Sequence, residues 1–271
     1  MRIECFGARG TFPLTGVEGP ANGRNTTCLA ATSDEGEVLI LDAGTGIRAL
    51  GGRLAAEQAG SPRRLHLFFT HFHFDHIQGL PFFLPLYSAS TEICFYSALA
   101  PHSLRRTLAR FMAPPYFPAA FADTPARKKF FRVGDTPKRI GGIDVSVCPL
   151  RHPQPCVSYR LEENGMSFVF ATDTEHPSSG IDERLAAFAR GASILAYDAM
   201  YTPEDYANGK QGWGHSTWAE AVKLARATGA GRLLLFHLNP DYPAADLDRI
   251  ERAAQKEFPR AACAREGWIA P

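Results

Sequence analysis

Short apolar runs recur along the chain, and most of them stop on Gly, Asp or His. Residues 2–7 read as a first strand, followed by a Gly- and Pro-rich loop from Gly7 to Gly23. Leu29 to Thr32 and Val38 to Asp42 read as strands, the second stopped at Ala43-Gly44-Thr45-Gly46. The pattern predicts a helix over 47–59 closed by Gly60, then a strand over 65–70. Residues 77–131 are the least regular part. They hold an expected strand at 93–96, a helix at 101–112, and the Pro-stiffened aromatic stretch 111–121. That stretch suits a lid, a subunit contact or a packed loop equally. Strands follow at 143–150 and 156–161, and Glu163-Asn164-Gly165 turns into a third over 167–172. From 181 onward helix and strand alternate: 182–190 closed by Gly191, 193–197, 216–228, 232–236 and 244–258. The helix at 216–228 carries a Thr217…Glu220 capping box and a Gly229 stop. No repeat or linker interrupts the chain. One domain over 1–271 is expected, with 77–131 as an aromatic-rich insertion.

Composition narrows this picture. A length of 271 residues fits one α/β sandwich, and 19 Phe with 3 Trp supply bulk for its core. Basic and acidic residues nearly cancel, 29 against 28. That balance argues against a polyphosphate-binding surface spread over the whole protein, though not against a local basic patch. The six cysteines are scattered and include no Cys-x-x-Cys, as expected of reduced, buried thiols. The first residues lack a signal-peptide apolar region, and no run approaches the roughly 18 apolar residues of a membrane span. A cytoplasmic protein with no membrane role is expected.

The chemistry centres on Thr70-His71-Phe72-His73-Phe74-Asp75-His76. Any one of these histidines alone reads as an ordinary core or surface residue. Three imidazoles and a carboxylate in six positions are costly to bury unless a cation coordinates them. His152, Asp173, Asp198 and His237 each fall at or just past the end of an apolar run, as does Asp42. Strand ends gathered at one edge would bring these groups together. Seven of them suit two metals: His71, His73 and His152 for one, Asp75, His76 and His237 for the other. Asp173 is the natural bridge, because a carboxylate has two oxygens to share. Asp75 is expected to serve catalysis as well. Two such ions hold a bridging hydroxide near neutral pH, which points to hydrolysis of an ester-like bond. With nitrogen and oxygen ligands, zinc is the default ion, with manganese, iron and nickel as alternatives.

These residues resemble the metallo-β-lactamase fold hydrolases: the His-x-His-x-Asp-His cluster matches their signature, and His152, Asp173 and His237 match the later ligands in order. The resemblance implies a four-layer αββα sandwich, an α/β (α+β) fold of two mixed sheets with helices outside. Tyr197-Asp198-Ala199-Met200-Tyr201, Gly214-His215-Ser216-Thr217 and Phe236-His237-Leu238-Asn239-Pro240 look like motifs of the ribonuclease Z-like and cyclic-phosphate phosphodiesterase branch. So does Gly23-Arg24-Asn25-Thr26-Thr27. By that resemblance Asp198 and His215 act together on the leaving group, and Arg24, Asn25 and His215 contact substrate. An alkoxide leaving group needs a proton, and an imidazolium held by a carboxylate supplies one.

Two departures weigh against transfer RNA as substrate. Twenty positions separate His152 from Asp173 where that branch carries a basic arm, and Asp198 stands where Glu is usual. A small or cyclic phosphodiester suits the chain better. The alternatives are a carboxyl-ester, lactone or thioester hydrolase of the same fold, and a metal-containing accessory protein that hydrolyses nothing. Relatives of this type are often oligomers, so a homo-oligomer is compatible. His176 reads as a loop histidine without a metal role, and His66 and His102 as structural.

Overall fold

Residues 1–15, 22–58, 63–134 and 138–270 are described in a computed structural model. Part of the first loop, 16–21, and the expected Gly60 helix stop lie outside the described residues. The chain runs β1 (Arg2–Gly7), β2 (Cys28–Thr32), β3 (Val38–Leu41), α1 (Ile47–Gln58), β4 (Arg63–Phe68), α2 (Phe74–Ile77), β5 (Thr91–Ser97), α3 (Pro101–Phe111) and β6 (Arg127–Arg132). It continues through β7 (Lys138–Ile140), β8 (Ile143–Pro149), β9 (Val157–Glu163), β10 (Met166–Ala171), α4 (Glu183–Ala189), β11 (Ile194–Asp198) and α5 (Pro203–Ala207). Then follow α6 (Trp218–Thr228), β12 (Leu233–Phe236), α7 (Ala244–Glu257), β13 (Ala261–Cys263) and β14 (Ile269–Ala270).

Among the described residues these strands make two seven-stranded mixed sheets, ordered β14-β1-β2-β3-β4-β5-β6 and β13-β12-β11-β10-β9-β8-β7. Between the sheets pack Ile3, Phe68, Tyr159, Phe168, Phe170 and Phe236. Outside the first sheet, Leu50, Leu54, Leu104 and Leu108 seat α1 and α3 on Ile40, Leu67 and Phe95. Outside the second, Leu185, Val222, Leu247 and Ile250 seat α4, α6 and α7 on Val169, Leu195 and Leu235. This is the expected αββα sandwich. Strands covered on both faces are apolar throughout, which is why the interior runs read as continuous apolar stretches. Among the described residues no helix is long and apolar enough to cross a membrane.

The expected caps at Thr217 and Gly229 are present: Thr217 accepts from the Glu220 N–H at 3.2 Å, and Gly229 closes α6 at φ 67°. Asp182, for which no cap was expected, caps α4 through the Leu185 N–H at 3.0 Å. The segment 77–131 is more regular than its composition suggests, because β5, α3 and β6 build one end of the first sheet. Strand β6, Arg-Lys-Lys-Phe-Phe-Arg, is half-exposed at a sheet edge and shows no apolar alternation. Within 111–121, Phe111 meets the Phe74 ring at 5.9 Å and Phe117 meets Phe82 at 5.7 Å, while Tyr116 is 82% exposed.

Direction of the strands positions the site. β3, β4, β5 and β6 are mutually parallel, as are β10, β11, β12 and β13. Leu41 pairs with Phe68, Ala171 with Tyr197, and Asp198 with Phe236. Asp42, the histidine cluster, Asp173, Asp198 and His237 therefore leave their strands at one edge of the sandwich. Asp42, Asp173 and His237 do so at φ 60°, 57° and 57°, a left-handed conformation that side chains other than Gly rarely adopt. Strain repeated at three chemistry-bearing positions marks this edge as functional.

Candidate functional site

Two groups of donor atoms converge at that edge. In one, His76 Nε2 lies 3.4 Å from His237 Nε2, 3.3 Å from Asp75 Oδ2 and 3.1 Å from Asp173 Oδ2. His237 Nε2 lies 3.0 Å from Asp75 Oδ2 and 3.4 Å from Asp173 Oδ2. These separations are close to the roughly 3.3 Å edge of a tetrahedron with bonds of about 2.0–2.1 Å. In the other, His71, His73, His152 and Asp173 each offer an atom within 4.8 Å of the rest. There His73 Nδ1 and His152 Nε2 are 3.4 Å apart, and His71 Nε2 is 3.6 Å from Asp173 Oδ1. Asp173 thus turns one oxygen toward each group.

The outer nitrogens explain why the inner ones point inward. His76 Nδ1 meets Asp42 Oδ2 at 2.8 Å. His71 Nδ1 meets the Thr70 hydroxyl at 3.0 Å, and that hydroxyl donates to Asp42 Oδ2 at 2.7 Å. His152 Nδ1 donates to the Gly214 carbonyl at 3.0 Å, and His73 Nε2 meets Gln154 Oε1 at 2.8 Å. These four rings each commit one nitrogen outward, which leaves the other as a lone pair facing the group, whereas the buried His237 Nδ1 has no hydrogen-bond partner. The His71 Nε2 atom is buried and has no hydrogen-bond partner. An orphaned imidazole nitrogen 3.6 Å from the Asp173 carboxylate is what a cation-coordinating site requires, and with the second donor group the residues fit two divalent ions.

Charge in the cluster agrees. Burial opposes the His76 imidazolium, yet the Asp173, Asp75 and Asp42 carboxylates raise its pKa well above the ordinary value. Burial likewise works against the Asp173 carboxylate, but His237, His76 and His71 hold it well below the usual range. His71 and His152 are pushed down, chiefly by burial, toward the neutral form that ligates. Carboxylates that attract positive charge here are suited to a divalent cation in place of protons.

Beside these groups stands a separate pair. Asp198 is fully buried and accepts four hydrogen bonds: from Asp173 N at 3.0 Å and His215 Nδ1 at 2.9 Å on Oδ2, and from Met200 N at 3.1 Å and Ser216 N at 3.0 Å on Oδ1. The His215 ring stacks on His237 with centroids 4.9 Å apart. Burial opposes its charge, but Asp198 leads the carboxylates that raise it to about 9. His215 also falls within 4.8 Å of Asp173 and His237 ligand atoms.

Other expected residues lie elsewhere. Arg24 and Asn25 are not among the converging groups: both backbone N–H groups donate to Glu266 Oε1, at 2.6 and 2.5 Å, and the Asn25 amide donates to Glu266 Oε2 at 3.1 Å. His176 bonds Ser216 Oγ at 2.9 Å and packs on Tyr206. His66 bonds the Tyr96 hydroxyl at 3.0 Å. The sequence reading assigned nothing to Thr11, whose N–H donates to Asp75 Oδ2 at 2.8 Å, or to Gln154 and Thr70. Thr70 and Gln154 adjoin ligand segments in sequence, which is the signal that could have flagged them.

Comparison with known proteins bears on this geometry. A model of the beta-lactamase superfamily domain matches residues 38–238. A ribonuclease Z of Azobacteroides pseudotrichonymphae genomovar. CFP2 is 26% identical over 307 positions, covering 100% of this chain and 98% of the relative. Among solved structures, the metallo-beta-lactamase fold protein YhfI from Bacillus subtilis superposes with a TM-score of 0.73 at 19% identity, over 99% of this chain and 98% of that one. A diphosphatase from the PhnP family gives 0.69 at 20% identity, over 100% and 97%. The matched span runs from β3 through the residue after His237 and so includes every donor of both groups, and on that match the chain belongs to the beta-lactamase superfamily.

Proposed function

We propose that the chain is a dinuclear-metal phosphodiesterase acting on a small or cyclic phosphodiester. The observation that carries this reading is the Asp198–His215 pair at 2.9 Å, placed so that the same His215 nitrogen is 4.0 Å from Asp173. His71, His73 and His152 would hold one divalent cation and Asp75, His76 and His237 the other, with Asp173 between them. Zinc suits these donors, and manganese, iron or nickel are alternatives. Such ions supply a nucleophile from water at neutral pH and positive charge against the phosphoryl oxygens.

The rest is done by this chain. Asp75, fixed by the Thr11 N–H, keeps its negative charge at the second group beside His237. His215, gripped through Nδ1 by Asp198, has Nε2–H free to protonate the departing oxygen. An alkoxide needs that proton, whereas a thiolate leaving from a thioester needs it far less. The similar proteins named ribonuclease Z and diphosphatase support chemistry at phosphorus. A small substrate is supported by the plain β9–β10 hairpin, turned at Asn164 and Gly165, between His152 and Asp173. The 307 positions matched with the ribonuclease Z exceed the 271 residues here, so that relative carries segments without a counterpart in this chain. Substrate contact is assigned first to His215; the Arg24 and Asn25 backbone, held by Glu266, would present their side chains as further contacts.

Metal content and turnover together test the proposal. His215→Ala should keep both ions and lose turnover of an alkyl phosphodiester, whereas His73→Ala should lose an ion and turnover. Full activity in excess chelator with no ion bound would sink the reading.

A further inference from the structure

Glu175 sits two residues past Asp173 and has no part in the chemistry above. Its carboxylate nevertheless accepts three hydrogen bonds from α5 and the loop that follows it. Tyr206 Oη donates to Oε1 at 2.6 Å, Gly212 N donates to the same oxygen at 2.7 Å, and Gly214 N donates to Oε2 at 2.9 Å. The Glu175 N–H is itself tied to the Arg151 carbonyl at 2.7 Å, beside His152. Residues 209–213 are mostly exposed and belong to no strand or helix. Gly212 and Gly214 turn at φ 81° and 84°. A Cβ on Gly214 would stand 2.3 Å from His152 Nδ1, so the ring rests on bare backbone there.

Two site histidines depend on this loop. The Gly214 carbonyl accepts from His152 Nδ1 and so aims His152 Nε2 at the group with His73. The next residue is His215, whose ring must meet Asp198. We propose that Glu175 is the positioning residue that sets both at once, by clamping the 212–214 backbone between the ligand His152 and the proton donor His215. Only a carboxylate does this well: all three partners are donors, and two are backbone N–H groups that cannot reverse. A Gln amide must turn its NH2 toward one of the two glycine N–H groups, whichever way it faces.

The inference rests on the proposed phosphodiesterase reading for its His215 half, while its His152 half is read by metal content alone. Wild type, Glu175→Gln and Glu175→Asp, each loaded with zinc, are titrated with chelators of graded strength. The ratio of kcat/KM on a cyclic alkyl phosphodiester to that on bis(p-nitrophenyl) phosphate is then measured. Glu175→Gln should release one of two ions 10–100-fold more readily, the usual range for losing a partner that orients a ligand. Its ratio should fall at least fivefold, because the activated ester needs no proton. Glu175→Asp, which keeps the charge, should recover part of both. Wild-type retention of both ions with an unchanged ratio would overturn the proposal. So would equal losses in the Gln and Asp variants, which would mark a packing effect. If Glu175→Gln does not fold, Glu175→Ala takes its place, and wild-type ion retention and ratio in that variant would overturn it. If the wild type cleaves neither ester, the phosphodiesterase reading falls and the chelator titration still decides Glu175.

Discussion

Replacing Asp198 by Asn separates protonation of the leaving group from metal binding. The side chain keeps its shape but has one oxygen where the carboxylate has two. Turned one way, its NH2 faces both Met200 N–H and Ser216 N–H, leaving two buried donors unpaired. Turned the other way, it faces Asp173 N–H and His215 Nδ1, and only the first is left unpaired if His215 shifts its proton to Nε2. The second orientation is therefore favoured, at a cost of about 1–3 kcal/mol for one orphaned buried donor. For a chain of this size, that lowers Tm by several degrees. The larger effect is on charge. A rise from the ordinary 6.5 to about 9, won against burial, corresponds to roughly 3 kcal/mol favouring the imidazolium, with Asp198 the leading contributor. Losing most of it slows a step that needs that proton by about a hundredfold. Steady-state kinetics on a cyclic alkyl phosphodiester should show this loss, while bis(p-nitrophenyl) phosphate changes less than about tenfold. The ions stay bound. Equal losses on both esters, or loss of an ion, would refute this division of labour.

Other positions make separate demands. Asp42→Asn removes an acceptor used by His76 directly and by His71 through Thr70, so zinc affinity should weaken about 10–100-fold at both groups in a chelator titration. Gly10→Ala puts a Cβ 2.4 Å from His237 Nδ1 and Cε1, so the ring must move, and elemental analysis should find the ion of that group lost. Glu4 takes two bonds from Arg53 at 2.7 and 2.9 Å, and although burial opposes its charge, Arg53 holds its pKa below the usual value. The pair therefore stabilises the fold above the ordinary glutamate pKa of about 4.3 and loses that contribution as pH falls through the lowered value. Glu4→Gln should cost about 1–2 kcal/mol at pH 7 by thermal unfolding, and the difference from wild type should shrink in acid.

How much of this was legible in the sequence follows from where each signal is stored. The donors of the site were legible, because His and Asp at the ends of apolar runs mark strand ends, and parallel strands bring those ends to one edge. The central strands and the caps at Thr217 and Gly229 were legible for the same local reasons. Edge strands were not: Ala261–Cys263 and Ile269–Ala270 are too short to carry a period, and Arg127–Arg132 has no buried face to alternate. The partners that aim the ligands were also hidden. Gln154, Gly214 and Glu175 act through contacts set by the fold, and a lone Gln, Gly or Glu in a loop carries no pattern. Asn25 was marked by its motif alone, and the bond that holds its amide, to Glu266 241 positions away, was not legible.

The central claim is that the site acts at phosphorus, and one panel tests it most directly. Protein loaded with two equivalents of zinc is assayed against cyclic and linear phosphodiesters, lactones and thioesters at matched concentration. Saturable turnover of a phosphodiester, abolished by chelator and restored by zinc, with lactones and thioesters slower, is the predicted result. Turnover of lactones or thioesters with none of any phosphodiester would contradict it.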